Sequence, residues 1–173
     1  LWFGSGCAGL GLYEMTIRRL EEEDIDGVVK IFNDIVLHED CFIDEEPMSR
    51  DGFKELLRSP VVCYVAVEDG EVVGFYYLHS LFKGRAKHIG NATYGVARSH
   101  RRKGIGFALG KHSVSVAGEL GFRYLFFVSV LSANIGSRRI WEKLGFKKIS
   151  SIQFGYRNHT GDLVPTNQYL LEL

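Results

Sequence analysis

Residues 123–131, R-Y-L-F-F-V-S-V-L, are apolar at almost every position. A strand that alternates polar and apolar can lie at a protein surface, whereas a run this apolar buries both of its faces. A chain carrying it must fold as a sheet with cover on each side, and the flanking sequence offers helices for that cover. Ile105–Leu120 reads as a helix that stops at Gly121, and Asn134–Leu144 as a helix closed by Gly145.

The rest of the chain extends this pattern. Met15–Leu20 predicts a short first strand. Asp24 is placed to cap a helix with apolar positions Ile25, Val28, Val29, Phe32, Ile35 and Val36, one face of a 3.6-residue period. A D-E-E-P loop (44–47) precedes a short helix around Ser49–Leu57. Val61–Val67 and Val72–Leu81 read as strands joined at E-D-G-E, where Asp-Gly marks a hairpin turn. Asn91–Arg98 is a further strand, and Phe146–Phe154 with Pro165–Leu171 makes a last antiparallel pair. The order β-α-α-β-β-β-α-β-α-β-β predicts an α+β fold, a mixed, largely antiparallel sheet flanked by helices. Residues 15–173 form one domain in this reading, and Leu1–Glu14 is an added or upstream segment.

The formal net charge is zero, but residues 1–90 carry 9 Lys/Arg against 17 Asp/Glu, and residues 91–173 carry 12 against 4. Either one half holds an anion while the other attracts a cation, or the two neutralise each other across their contact. Cys7, Cys41 and Cys63 have no metal-site spacing, and their odd number, without a secretory signal, fits a cytoplasmic protein. No apolar run reaches the roughly 18 residues of a membrane span. The basic residues form no long stripe, which argues against a nucleic-acid partner.

The stretch R-S-H-R-R-K-G-I-G (98–106) joins a strand to a helix. The first turn of a helix carries backbone N–H groups without internal partners and the positive end of the dipole. Glycines there allow close approach of a phosphate, and the flanking cations add charge. The alternative is a surface turn with solvated charges.

These residues resemble a known family. R-R-K-G-I-G (101–106) is similar to the R/Q-x-x-G-x-G/A signature of the GCN5-related N-acetyltransferases. N-I-G-S-R-R-I-W-E-K-L-G-F (134–146) resembles the family's second motif, one strand further on. Residues 31–47 resemble the N-terminal part of phosphinothricin-type amino-acid acetyltransferases. The resemblance implies an acetyl-CoA-dependent enzyme that moves acetyl directly to a primary amine. The acceptor is a small amine or amino acid; a protein N-terminus or lysine is the alternative, and a non-catalytic acetyl-CoA sensor the rival.

The resemblance implies that Arg101, Arg102, Lys103, Gly104, Ile105, Gly106 and Phe107 hold the pyrophosphate. It further implies that Val96, Ala97 and Arg98 pair with the pantetheine arm, and that Asn134 and Ser137 face it. The strands 91–98 and 123–131 would splay, with the thioester in the gap and an N–H near Val96 on its carbonyl. Phe42, Asp44, Glu45 and Glu46 would line the acceptor side, with Tyr76 or Tyr77 and Asn91. Trp141 stands where many members have a proton-donating tyrosine, and Asn91 where phosphinothricin-type enzymes have a glutamate. His79 is then the candidate base, ahead of His88 and His112, with a water chain as the alternative. Family members are often dimers, and no residue in the sequence decides the assembly.

Overall fold

The computed structural model describes residues 15–58 and 61–173. The segment Leu1–Glu14 therefore lies outside the described residues. The expected element order is found: β1 (Thr16–Arg19), α1 (Ile25–His38), α2 (Arg50–Arg58), β2 (Val61–Glu68), β3 (Glu71–Ser80), β4 (Ile89–Val96), α3 (Ile105–Glu119), β5 (Tyr124–Leu131), α4 (Ile135–Lys143), β6 (Lys147–Arg157) and β7 (Leu163–Glu172). The strands form one sheet in the order β1-β2-β3-β4-β5-β7-β6. Every neighbouring pair is antiparallel except β4 with β5.

Helices lie on both faces of the sheet, but β5 is buried only at Leu125, Phe127 and Leu131 and half-buried between them, so the run is not enclosed on both faces as expected. On one side Ile25, Val28, Phe32 and Ile35 of α1 and Phe53 of α2 pack on Cys63, Val65, Phe75 and Tyr77. On the other, Ile105, Leu109 and Val116 of α3 and Trp141 of α4 pack on Tyr76, Leu78, Leu125, Phe127 and Tyr169. Gly95 on β4 is required by this packing, because a Cβ there would lie 2.4 Å from a ring carbon of Phe75. The β2–β3 turn has Asp69 at φ 53° and Gly70 at φ 80°, the left-handed pair that a tight hairpin takes.

Two local readings are corrected. Asp24 does not cap α1; it ends a 3₁₀ turn and its side chain accepts from Arg18 at 2.6 and 2.9 Å and from the Glu21 N–H at 2.8 Å. The fourth strand ends at Val96 rather than Arg98, because Arg98–His100 wind into a 3₁₀ turn.

Candidate active site

The parallel pairing of β4 with β5 is confined to Ile89–Tyr124 and Gly90–Leu125, and beyond it the strands diverge. The register with β3 decides what β4 presents to the gap. The Ala97 N–H donates to the Val73 carbonyl at 2.9 Å and the Leu81 N–H to the Ile89 carbonyl at 2.8 Å, so odd-numbered residues of β4 bond to β3. The N–H and C=O groups of Tyr94 and the N–H of Val96 therefore point into the gap. Val96 was expected there and Ala97 was not placed correctly, since its N–H is spent on β3. Tyr94 is the residue that sequence reasoning missed, although a two-residue step back from Val96 would have found it.

At the end of β4 the chain turns into the basic run. Arg102 has φ 61° and Gly104, the N-cap of α3, has φ 87°. The first bond of the helix runs from the Ala108 N–H to the Gly104 carbonyl at 3.0 Å, and no side chain caps the turn. The N–H groups of Ile105, Gly106 and Phe107 are thus left without helical partners, as an anion site needs. Nothing lies within 4 Å of a Cβ built on Gly104, so this side of the turn is open. Gly106 has a packing part as well: its Cβ would sit 3.2 Å from Ile140 Cδ1, so its smallness lets α3 pack against α4. The Phe107 ring is covered by Lys143 Nζ at 4.5 Å.

Most of the loop's cations are neutralised within the protein. Arg101 makes a bidentate pair with Glu39 at 2.7 and 2.6 Å, and its Nε donates to the Val96 carbonyl at 3.2 Å. That arrangement corrects the expectation of a phosphate-binding Arg101 side chain: it joins the end of α1 to the end of β4. Arg98 lies 3.7 Å from Asp34 and 3.5 Å from Glu39, and Lys103 lies 3.6 Å from Glu68. Among the described residues, Arg102 alone of these four cations has no carboxylate partner, and it is exposed. The two oppositely charged halves thus neutralise each other here. Asn134 caps α4, its Oδ1 accepting from the Ser137 N–H at 3.0 Å, which leaves its amide NH₂ to act as a donor.

A cavity of about 510 Å³ opens beside the gap. One wall comes from the β5–α4 connection (Leu131, Ala133, Asn134), the other from the end of α1 and the β6–β7 arm (Glu39, Asp40, Cys41, Asn158, Val164, Pro165). The arm is tied across it, with Tyr156 Oη donating to the Phe42 carbonyl at 2.9 Å and the His159 N–H to Asp40 Oδ1 at 2.8 Å. Burial, and then the charge of Glu39, pushes the Cys41 thiol up to about 12, so it stays protonated.

The model of the acetyltransferase (GNAT) family matches residues 28–146. This chain belongs to the GNAT acetyltransferase family. It is 37% identical over 82 residues to the N-acetyltransferase aca1 of Schizosaccharomyces pombe, covering 47% of this chain and 39% of that protein. It is 27% identical over 137 residues to YwnH of Bacillus subtilis, provisionally named a phosphinothricin acetyltransferase, covering 76% of this chain and 83% of the other. The solved structure of a GCN5-related N-acetyltransferase from Kribbella flavida matches with a TM-score of 0.84 at 26% identity, covering 92% and 98% of the two chains. This chain spans about two fifths of the length of aca1 and most of that of YwnH.

The GNAT frame places the remaining expected residues. Trp141 is 5% exposed, with ring centroids of Tyr94 and Phe127 each 4.7 Å away. Tyr76 is fully buried on the α3 side, where its hydroxyl meets His112 Nδ1 at 2.8 Å, and does not reach the cavity. Burial pushes the His112 imidazole below its usual value, which favours the neutral ring, and its tautomer sets which of the two groups donates. His79 faces Asn91 across the β3–β4 pair, its Nδ1 lies 2.9 Å from the Ser80 carbonyl, and neither residue lines the cavity. In the acceptor loop, Phe42 is drawn into the core against Phe32 at 5.0 Å, while Glu45 and Glu46 are exposed. The residues that do face the cavity, Glu39 to Cys41, lie just upstream. Burial raises the Tyr77 phenol, and the charge of Asp44 adds to the rise; Tyr77 pairs with Thr93 across β3 and β4.

Proposed function

We propose that this GNAT chain binds acetyl-CoA along the β4–β5 gap and transfers the acetyl group directly to a primary amine in a ternary complex. The observation that carries this reading is the continuity of unpaired backbone donors from Tyr94 and Val96 to the open first turn of α3. The cofactor supplies an activated acetyl group as a thioester. Tyr94 and Val96 would pair with the amides of its arm, and a gap-facing N–H would polarise the thioester carbonyl. The N–H groups of Ile105 to Phe107, with Arg102, would hold the pyrophosphate. Ala97, Arg98 and Arg101 support this strand and turn from behind. Asn134 would donate its amide to the arm, beside Ser137.

Trp141 can donate a hydrogen bond but not a proton. The thiolate therefore departs without an acid from this helix, which is feasible for a thiol with a pKa near ~8.5. The same buried tryptophan, with Asn91 in place of an acid, favours a second reading in which the chain binds acetyl-CoA and catalyses little. The two are separated by thiol release from acetyl-CoA over a panel of amines, amino acids and short peptides, with calorimetric CoA binding in parallel. Turnover with any acceptor class establishes the enzyme. Tight binding without turnover selects the second reading, and absence of CoA binding refutes both. The reduced thiols Cys41 and Cys63 keep a cytoplasmic setting as part of the proposal.

A further inference from the structure

We infer that the acceptor is a di- or polyamine, a primary amine carrying a second positive charge and no carboxylate. The inference rests on the acetyltransferase reading and deepens it. One wall of the cavity, Leu131, Ala133 and Asn134, includes the amide proposed to hold the cofactor arm, so on that reading its other wall faces whatever attacks the thioester. That wall is lined by two acidic residues, Glu39 and Asp40, with Cys41, Asn158, Val164 and Pro165. Among the described residues no lysine or arginine lines the cavity.

Binding a free amino acid requires a donor set for its carboxylate, normally a guanidinium or ammonium. Two guanidiniums adjoin Glu39: Arg101 has both terminal nitrogens bound to Glu39 and its Nε to the Val96 carbonyl, and Arg98 lies 3.5 Å from Glu39 and 3.7 Å from Asp34, so both are already paired with carboxylates. An incoming carboxylate would therefore meet carboxylates. Glu39 is already balanced by Arg101, whereas Asp40 has only the backbone N–H and imidazole of His159 as partners. Asp40 is thus the carboxylate available to a second ammonium while the neutral amine at the other end attacks. The aliphatic wall of Val164 and Pro165 fits the methylene chain between them.

The test compares cadaverine with lysine, putrescine with ornithine and agmatine with arginine, as acceptors for the full chain with acetyl-CoA. The expected result is a kcat/KM at least tenfold higher for each decarboxylated amine. Asp40→Asn retains the Oδ1 that accepts from His159 but removes the charge. It should narrow that ratio at least tenfold while leaving the Kd for CoA unchanged. Amino acids that react as well as their decarboxylated partners overturn the inference, as does a ratio unaffected by Asp40→Asn. If no acceptor turns over, cadaverine and lysine are titrated calorimetrically into the CoA complex. Binding of cadaverine alone then upholds the pocket's specificity although the enzymatic reading has failed, and equal binding, or none, overturns it.

Discussion

Gly104 and Gly70 provide a matched pair for testing the phosphate cradle. Both have left-handed backbone, at φ 87° and φ 80°, and neither has any atom within 4 Å of the position that a Cβ would take. An alanine at either site meets no neighbour and costs only the left-handed penalty, about 1–2 kcal/mol for an L-residue. For a chain of this size that corresponds to a fall in Tm of about 2–8 °C. Their surroundings differ, since Gly70 sits in the β2–β3 hairpin and Gly104 precedes the open first turn of α3. Gly104→Ala and Gly70→Ala should therefore lose similar stability in urea titrations. Only Gly104→Ala should also weaken CoA binding by tenfold or more in calorimetry, about 1.4 kcal/mol. Equal CoA affinity in the two folded variants would refute the cradle, and undiminished stability in both would refute the backbone argument.

A valine at Gly110 should destabilise the protein by about 1–3 kcal/mol, because even a Cβ there lies 2.8 Å from Leu144 Cδ1 and 3.0 Å from Trp141 Cζ3; a urea midpoint equal to that of the parent would contradict it. Burial alone would raise the Asp24 carboxyl, but the bonds from Arg18 and the Glu21 N–H outweigh it and hold the group below the usual carboxylate range. A folded-state pKa below the unfolded one gives stability that is present above the unfolded value of about 3.9 and is lost as pH falls through the folded one. Asp24→Asn should accordingly lower stability at neutral pH and flatten the acid limb of a stability–pH curve. His79→Ala should leave kcat within about threefold, against the 10²-fold or greater loss expected of a general base, and a larger loss would restore His79 as the base.

The elements were legible because each carries its own period: the α1 stripe, the β5 run and the glycine stops after α3 and α4 are local signals. The cofactor loop was legible as a sequence motif with strand and helix on either side. What escaped depended on partners distant in sequence. Glu39 meets Arg101 across 62 positions, so a run of four cations reads as a phosphate clamp until the fold pairs three of them. The inward turn of Phe42 onto Phe32, which leaves Glu39 to Cys41 lining the cavity, also depends on partners that the loop's own sequence does not show. Nor could the sequence show that Pro165, lacking an N–H, cannot donate to Ser132 in the β5–β7 pairing. The Ser132 carbonyl accepts from Arg138 Nη1 at 3.0 Å instead, which ties α4 to the end of β5.

The gap between β4 and β5 is held by what packs beneath it. Tyr94 on β4 and Phe127 on β5 have ring centroids 5.8 Å apart, and Trp141 lies 4.7 Å from each, with Phe146 stacked on Phe127 at 4.6 Å. Beyond Phe127 the β5–β7 register shifts, turning β5 toward β7. Buried apolar area of this size contributes more than the ladder bonds it displaces, since a fully buried aromatic side chain contributes about 1.5–3 kcal/mol against a net 0.5–1.5 kcal/mol per hydrogen bond. The backbone groups left facing the gap remain available to a ligand rather than to a neighbouring strand. A tryptophan at this position serves the wedge better than a tyrosine, because its larger ring system fills the space between the two strands. A tryptophan has no hydroxyl to donate, so in the proposed mechanism the residue packed beneath the gap offers the departing thiolate no acid.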